Sequence, residues 1–232
     1  MDLRDTGGTG TPVVFLHAAT GHGGMWQHQL PAFTAAGFRC VTFDRSPDGF
    51  ACDQVEEVAA KLALPPFHLL GTAAGAIIAV DYALSHPQRL RSLVLANTIV
   101  GVQDPEYLEL SQRLRPSPQF DKMPADFREL GPSYRAANAE GTKRWNELAQ
   151  AKARIAYTAK NRITFAALET IKAPTLLLTG DADLYMPPPV LRLFAGRLPR
   201  CESVVIDECG HSAYWEQPHT FNRAVLEFLR KY

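Results

Sequence analysis

Phe67-His68-Leu69-Leu70-Gly71-Thr72-Ala73-Ala74-Gly75-Ala76-Ile77-Ile78-Ala79-Val80 is the stretch on which the reading of this 232-residue chain turns. A short apolar run meets a glycine-bracketed pentapeptide, and a long apolar segment follows at once. The pattern predicts a strand, a very tight turn and a buried helix. Gly71-Thr72-Ala73-Ala74-Gly75 has the spacing G-x-S-x-G, in which the central residue is held strained at a strand–helix junction. The centre here is Ala73, which has no nucleophilic atom.

Outward from this stretch the chain alternates strand-like and helical patterns. Met1–Thr11 is polar and glycine-rich and reads as an entry loop. Val13-Val14-Phe15-Leu16 is a β-branched and aromatic run of the kind found in a central strand, and His17–Gly24 is a loop of small residues. Met25, Trp26, Leu30 and Phe33 recur at helical spacing up to Gly37, and Arg39–Asp44 is the next strand. Asp53-Gln54-Val55-Glu56 reads as a capping box for a short helix that Pro65-Pro66 ends. Leu90–Leu95 closes a fourth unit. Four such units predict a parallel sheet covered on both faces.

From Thr98 to Lys172 strand-like runs disappear. Glu106–Leu114, Asp126–Ala137 and Thr142–Tyr157 carry helical periodicity, and residues 104–172 hold 12 Lys/Arg against 9 Asp/Glu. This is a helical insertion whose mild basic excess also suits a solvated face. The α/β pattern resumes with a strand at Pro174–Thr179, a helix at Val190–Leu198, a strand at Ser203–Ile206 and an amphipathic helix at Phe221–Tyr232. The expected division is therefore residues 1–97 and 173–232 as an α/β core, with 98–172 as a helical cap.

Composition narrows the function classes. Lys+Arg and Asp+Glu balance at 24 each, which argues against nucleic acid or an anionic membrane as partner and leaves a small-molecule substrate. No apolar run approaches the roughly 20 residues of a membrane span, and the N-terminus lacks signal-peptide features. Cys40, Cys52, Cys201 and Cys209 have no paired metal-ligand spacing and read as reduced thiols of a cytoplasmic protein. Cys209, His211, His17 and His22 do not make a metal site on spacing, so no metal is expected. Gly71-x-Ala73-x-x-Ala76 is too degraded for a dinucleotide loop, and the following strand runs to Asn97 rather than an acid, so no nucleotide cofactor is expected.

Every suggestive polar residue follows a strand: His17, Asp44, the Ala73 turn, Asp183 and His211. In an open parallel sheet that edge is where ligands bind. Together with Val13–His17, Phe43-Asp44-Arg45, Leu69–Gly75, Ser85-His86-Pro87, Leu93-Val94-Leu95, Pro174–Asp183 and Gly210-His211, the chain resembles the α/β-hydrolase superfamily from about residue 12 to its C-terminus. The resemblance implies a mostly parallel sheet of about six main strands, its N-terminal hairpin trimmed or reduced to one short edge, under a helical cap. It implies His211 as general base, oriented by Asp183, with Asp181 the rival acid in the same turn. Gly210 is expected to relieve the backbone of the tight loop before His211. An oxyanion hole is expected from the N–H groups of Ala74 and Ala19, although Ala18 stands where the family usually has glycine.

The resemblance implies hydrolysis of small, largely apolar carboxylic esters or lactones through a Ser-His-Asp mechanism, with Ala73 in the nucleophile position. The favoured reading is an engineered Ser→Ala knock-out that binds substrate and turns it over poorly. The alternatives are a lyase- or oxygenase-like enzyme using His211 and Asp183 for proton abstraction, and a binding protein with a dead site. Trp26, Met123, Tyr134, Trp145, Tyr157, Tyr185 and Trp215 are candidates to line an apolar pocket. His17, Trp26, Tyr185, Trp145 and Trp215 are taken as substrate contacts.

Overall fold

Six apolar runs become parallel strands, and a seventh, antiparallel strand lies at the edge. A computed structural model describes residues 2–98, 100–152 and 156–232. The strands are β1 (Leu3–Asp5), β2 (Pro12–Leu16), β3 (Arg39–Phe43), β4 (Phe67–Thr72), β5 (Leu90–Ala96), β6 (Thr175–Gly180) and β7 (Cys201–Ile206). Their order in the sheet is β1-β3-β2-β4-β5-β6-β7. Residues 1–11 are thus not all loop: Leu3–Asp5 pairs antiparallel with Val41–Phe43, and Asp5 holds Arg39 in a two-point ion pair at 2.6 and 3.0 Å. This single short strand is the trimmed edge.

Helices α1 (Leu30–Ala35), α2 (Ala51–Lys61) and α3 (Ala74–Ser85) follow β2, β3 and β4. Between β5 and β6 lie α4 (Pro105–Arg113), α5 (Ala125–Glu129), α6 (Pro132–Ala137), α7 (Ala139–Gln150) and α8 (Phe165–Leu168), with no strand among the described residues. Helices α9 (Pro188–Ala195), α10 (Ala213–Glu216) and α11 (Pro218–Leu229) complete the chain. Successive strand residues point to opposite faces. Val14, Leu16, Val41, Phe43, Leu69 and Leu177 share one buried cluster with residues of α2, α3 and α9. Val13, Phe15, Leu70, Val94 and Leu178 share the other with residues of α1 and α11. Burial on both faces explains why these strands read as continuous apolar runs.

Several predicted boundaries shift. Helix α2 begins at Ala51, so Asp53 lies inside its first turn and caps nothing; it pairs instead with Lys160 at 2.9 Å. The helix expected over Asp126–Ala137 is split at Gly131-Pro132, because Pro132 has no N–H and pushes Gly131 into extended backbone (φ −61°, ψ 151°). The segment expected over Thr142–Tyr157 starts earlier, where the Asn138 side chain accepts the Gly141 N–H at 2.8 Å. Its residues 153–155 lie outside those described. No helix is long and apolar enough to cross a membrane among the described residues, and all four cysteines are free thiols.

The chain leaves β2 toward β3 on one side and returns to β4 on the other, so the topological switch lies between β2 and β4. At the end of β4, Ala73 sits at φ 50°, ψ −117°, a conformation that strains any residue with a Cβ. A Cβ on Gly75 would stand 2.1 Å from the Leu16 carbonyl oxygen and 2.7 Å from that of His17. The glycine lets α3 begin hard against the end of β2. Ala73→Gly is expected to raise the urea midpoint, with an unfolding free energy greater by about 1 kcal/mol, since relief of roughly 1–3 kcal/mol of strain exceeds the roughly 0.4–1 kcal/mol of added unfolded-chain entropy. Gly75→Ala is expected to cost about 3 kcal/mol or more, because backbone carbonyls cannot rotate away from the new methyl. Equal midpoints for the three chains would contradict the elbow geometry.

Candidate active site

The carboxyl edge of the sheet carries a cavity of about 430 Å³. Its floor is the elbow, Ala73 and Ala74, with Ile77 of α3 and the Ala18-Ala19-Thr20 loop after β2. Asn97 and Thr98 enter after β5, Tyr185 after β6 and His211 after β7. The segment between β5 and β6 contributes Arg115, Asp121, Arg128, Glu129 and Tyr157.

Asp183 and His211 are brought together; Asp181 is not. The His211 Nδ1 lies 2.9 Å from both carboxylate oxygens of Asp183, and both residues are buried. Asp183 Oδ1 also accepts the N–H groups of Tyr185 and Met186 at 2.8 and 2.9 Å, and Oδ2 accepts Asn97 Nδ2 at 3.1 Å. The Thr179 hydroxyl is 3.0 Å from Oδ2. Asp181 instead accepts the Cys209 N–H at 3.1 Å and is exposed, a turn contact away from the cavity.

The loop bearing His211 is built by a residue that carries no motif. Glu216 of α10 is buried, and its carboxylate accepts the N–H groups of Gly131, Gly210 and Ser212 at 2.7, 3.0 and 3.1 Å. That ties the histidine loop to the turn between α5 and α6. Gly210 is needed for this approach rather than for a strained φ: a Cβ there would stand 2.3 Å from the Gly131 nitrogen. Glu129, at the end of α5, places Oε2 3.9 Å from His211 Nε2. The imidazole thus has a carboxylate toward each nitrogen.

The loop after β2 is pinned from beneath. The Ala18 carbonyl accepts three donors: His17 Nδ1–H at 2.7 Å, Arg45 Nη2 at 3.1 Å and the Gly21 N–H at 3.1 Å. A trans peptide points its N–H opposite its C=O, so fixing the Ala18 carbonyl fixes the direction of the Ala19 N–H. Among the described residues neither the Ala19 N–H nor the Ala74 N–H donates to another protein group. His17 is therefore a buried loop anchor and not a wall of the cavity, which corrects its expected role as a substrate contact. Asp44 is likewise structural here, accepting the Gly23 N–H at 2.7 Å and pairing with Lys152.

The aromatic expectations divide. Tyr185 and Tyr157 line the cavity; Trp26, Trp145 and Trp215 do not. All three indoles are buried in the core cluster on the α1/α11 face, where Trp26 packs against Phe15 and Tyr214 at 5.3 and 5.0 Å. Their large apolar area is taken up filling the space beside the sheet. Met123 and Tyr134 are also outside the lining. The cavity wall is not apolar: Arg115, Asp121, Arg128 and Glu129 all contribute to it. Among the described residues no group of three or more His, Cys, Asp or Glu is placed to hold a metal ion.

The two histidines are driven in opposite directions. Burial and the Arg45 charge push His17 down to about 4, consistent with a neutral ring whose one proton is on Nδ1. Burial also works against a proton on His211, but the Asp183 charge and hydrogen bond, helped by Glu129, outweigh it and raise the value above 6.5. Burial works against the Asp183 charge, yet His211 and the surrounding donors hold it low, at about 2. A raised histidine stabilises the fold fully below about pH 6.5 and loses that contribution as pH rises through the raised value. The lowered carboxylate contributes above about pH 3.8 and loses it as pH falls toward 2. In an NMR titration of ring nitrogens, His211 should lose its second ring proton at a pH above 6.5 and His17 should stay neutral to near pH 4 while the fold persists. Coincident titration of the two near 6.5 would contradict the geometry.

Comparison with known proteins agrees with this architecture. The sequence profile of the alpha/beta hydrolase family matches residues 13–224. A Pseudomonas putida protein named 2-hydroxy-6-oxononadienedioate/2-hydroxy-6-oxononatrienedioate hydrolase 2 is 30% identical, over 99% of this chain and 91% of its own. Among solved structures, a thermophilic esterase from Thermogutta terrifontis superposes with a TM-score of 0.80 at 25% identity, covering 99% of this chain and 92% of its own. BpoC from Mycobacterium tuberculosis gives 0.79 at 25% identity, covering 99% and 95%. With the seven-stranded sheet, the strained elbow at Ala73 and a family match spanning most of its length, the chain belongs to the alpha/beta hydrolase family.

Proposed function

We propose that the cavity over Ala73 is the site of a hydrolase of small carboxylic esters or lactones. Asp183 and His211 are its proton-transfer pair, the Ala19 and Ala74 N–H groups its oxyanion donors, and residue 73 the position of the nucleophile. The observation that carries this reading is the orientation of His211. Its Nδ1 is held by buried Asp183, which leaves Nε2 as the nitrogen on the Glu129 side of a cavity that both residues line. Hydrolase and esterase names among the relatives support the reaction class.

With serine at position 73, Nε2 takes the hydroxyl proton as oxygen attacks the carbonyl carbon, then returns it to the departing alkoxide; water repeats the exchange to release the acid. The two backbone donors stabilise the negative oxygen formed in each step. With Ala73 no covalent intermediate forms, and the chain binds an ester that it turns over poorly. Arg45 is a positioning residue in this scheme, acting through the Ala18 carbonyl. The charged lining moves the expected substrate away from a purely apolar ester.

A second reading is favoured by one observation: two carboxylates flank an imidazole that is already complete without residue 73. Such a group moves a substrate proton unaided, as a lyase- or oxygenase-like enzyme requires. The two readings separate experimentally. Ala73→Ser is expected to raise hydrolysis of short 4-nitrophenyl esters by at least about 100-fold, and His211→Ala in that background to abolish the gain. Absence of a gain, or a gain indifferent to His211→Ala, would rule out the serine-type hydrolase. Turnover by the Ala73 chain itself, lost on His211→Ala, would favour proton abstraction.

A further inference from the structure

Three side chains on the cavity wall form a single platform. Tyr185 packs its ring against His211, centroids 4.4 Å apart. The Arg115 guanidinium carbon lies 5.0 Å from the centre of the same ring and 5.1 Å from that of Phe120, and the two rings meet edge to face at 5.1 Å. Arg128 donates to the Tyr185 hydroxyl at 2.9 Å and to the Met123 carbonyl at 3.0 Å. These acceptors are neutral, since burial and the Glu129 charge raise the Tyr185 phenol to about 12. They orient Arg128 without cancelling its charge.

Arg115 is the unusual member. Its guanidinium is seated on aromatic rings, an arrangement that fixes the group and leaves its N–H edges for an acceptor. Arg115 lines the cavity and, among the described residues, its side chain makes no ion pair and no hydrogen bond. A guanidinium that faces a cavity without an acidic partner is matched best by a planar carboxylate. The negative wall residues do not fill that place. Glu129 lies against His211 Nε2 at 3.9 Å, and Asp121 is an exposed residue.

We propose that Arg115, seated on Phe120 and Tyr185 beside Arg128, is a subsite for a carboxylate carried by the substrate. The ester or lactone taken by this site is then a half-ester or a carboxylate-bearing lactone. One phenol ring touches both His211 and Arg115, so a short aliphatic spacer joins the reacting carbonyl over Ala73 to the carboxylate at Arg115. The inference rests on the reading of the Ala73 cavity as an ester site.

The Ala73 chain allows a direct test, because it is expected to bind an ester without consuming it. Isothermal titration with monomethyl glutarate and with dimethyl glutarate compares the anionic and neutral ligands in one frame. The half-ester is expected to bind at least about tenfold more tightly, with the margin shrinking in high salt. Arg115→Met should erase the preference, the half-ester losing at least about tenfold more affinity than the diester, and Arg115→Lys should keep part of it. Equal affinity for the two ligands, or a preference that survives Arg115→Met, overturns the carboxylate subsite and leaves the hydrolase reading standing. Binding of neither ligand, in a chain whose Ala73→Ser form hydrolyses neutral esters, also overturns the subsite alone. Binding of neither, with no hydrolysis by the Ala73→Ser form, overturns both.

Discussion

The approach of α3 to the end of β2 is the contact on which the site depends. Gly75 lies so close to the Leu16 and His17 carbonyls that no side chain fits between them. To reach that position the chain must turn within one residue of β4, and Ala73 takes the strained φ of 50° that the turn requires. The strain, of order 1–3 kcal/mol, is tolerated because the surroundings over-determine the turn. The Ala73 N–H donates to the Ala96 carbonyl, and the Ala73 carbonyl accepts the Thr98 hydroxyl, both at 3.0 Å. The elbow is thus gripped from β2 on one side and β5 on the other. Residues 73 and 74 line the cavity as a consequence of backbone packing, whatever side chain residue 73 carries.

Buried carboxylates fasten the remaining pieces to this frame. Asp183 gathers the turn after β6 and the Asn97 amide after β5, which also donates to the Gly210 carbonyl at 3.1 Å. Glu216 joins the His211 loop to Gly131. Asp81, buried in α3, accepts the N–H groups of Lys160 and Asn161 at 2.8 Å each and the Asn161 amide at 2.7 Å, securing the chain as it returns toward β6. Hydrogen bonds to charged groups contribute about 1.5–3 kcal/mol each, more than neutral ones. Three acids thereby carry much of the geometry that separates strands alone would leave loose.

Local pattern exposes the frame and hides these ties. Continuous apolar runs disclosed β2, β4, β5 and β6 because a strand buried on both faces has no other composition open to it. The elbow was readable because its glycines are demanded by backbone contact. Asp183 and His211 were readable from their places after strands. Asn97 stood in the same kind of position, but its amide draws meaning only from Asp183 and Gly210, which lie far away in sequence. Arg45, Glu129 and Glu216 also act on residues far from them in sequence, which local pattern does not connect. The tryptophans fail for a different reason. A large aromatic residue near a site residue in sequence fits a pocket wall and a core equally well, and burial sent Trp26, Trp145 and Trp215 to the core.

The persistence of His211 beside Asp183 in a chain without a nucleophile has less force as an argument for catalysis than the sequence alone suggests. Asp183 would remain buried without the imidazole, and removing one partner of a buried pair costs about 3–5 kcal/mol. The fold therefore has its own reason to keep the contact on Nδ1. No such reason extends to the opposite side of the ring. The cavity beside Nε2, lined by charged residues that include Arg115 and Arg128, is not needed to hold the strands together. A protein that kept the histidine only for stability would gain by closing that space with apolar side chains. The open, charged side of His211, more than its paired side, is what supports the proposal that this edge of the sheet takes a ligand.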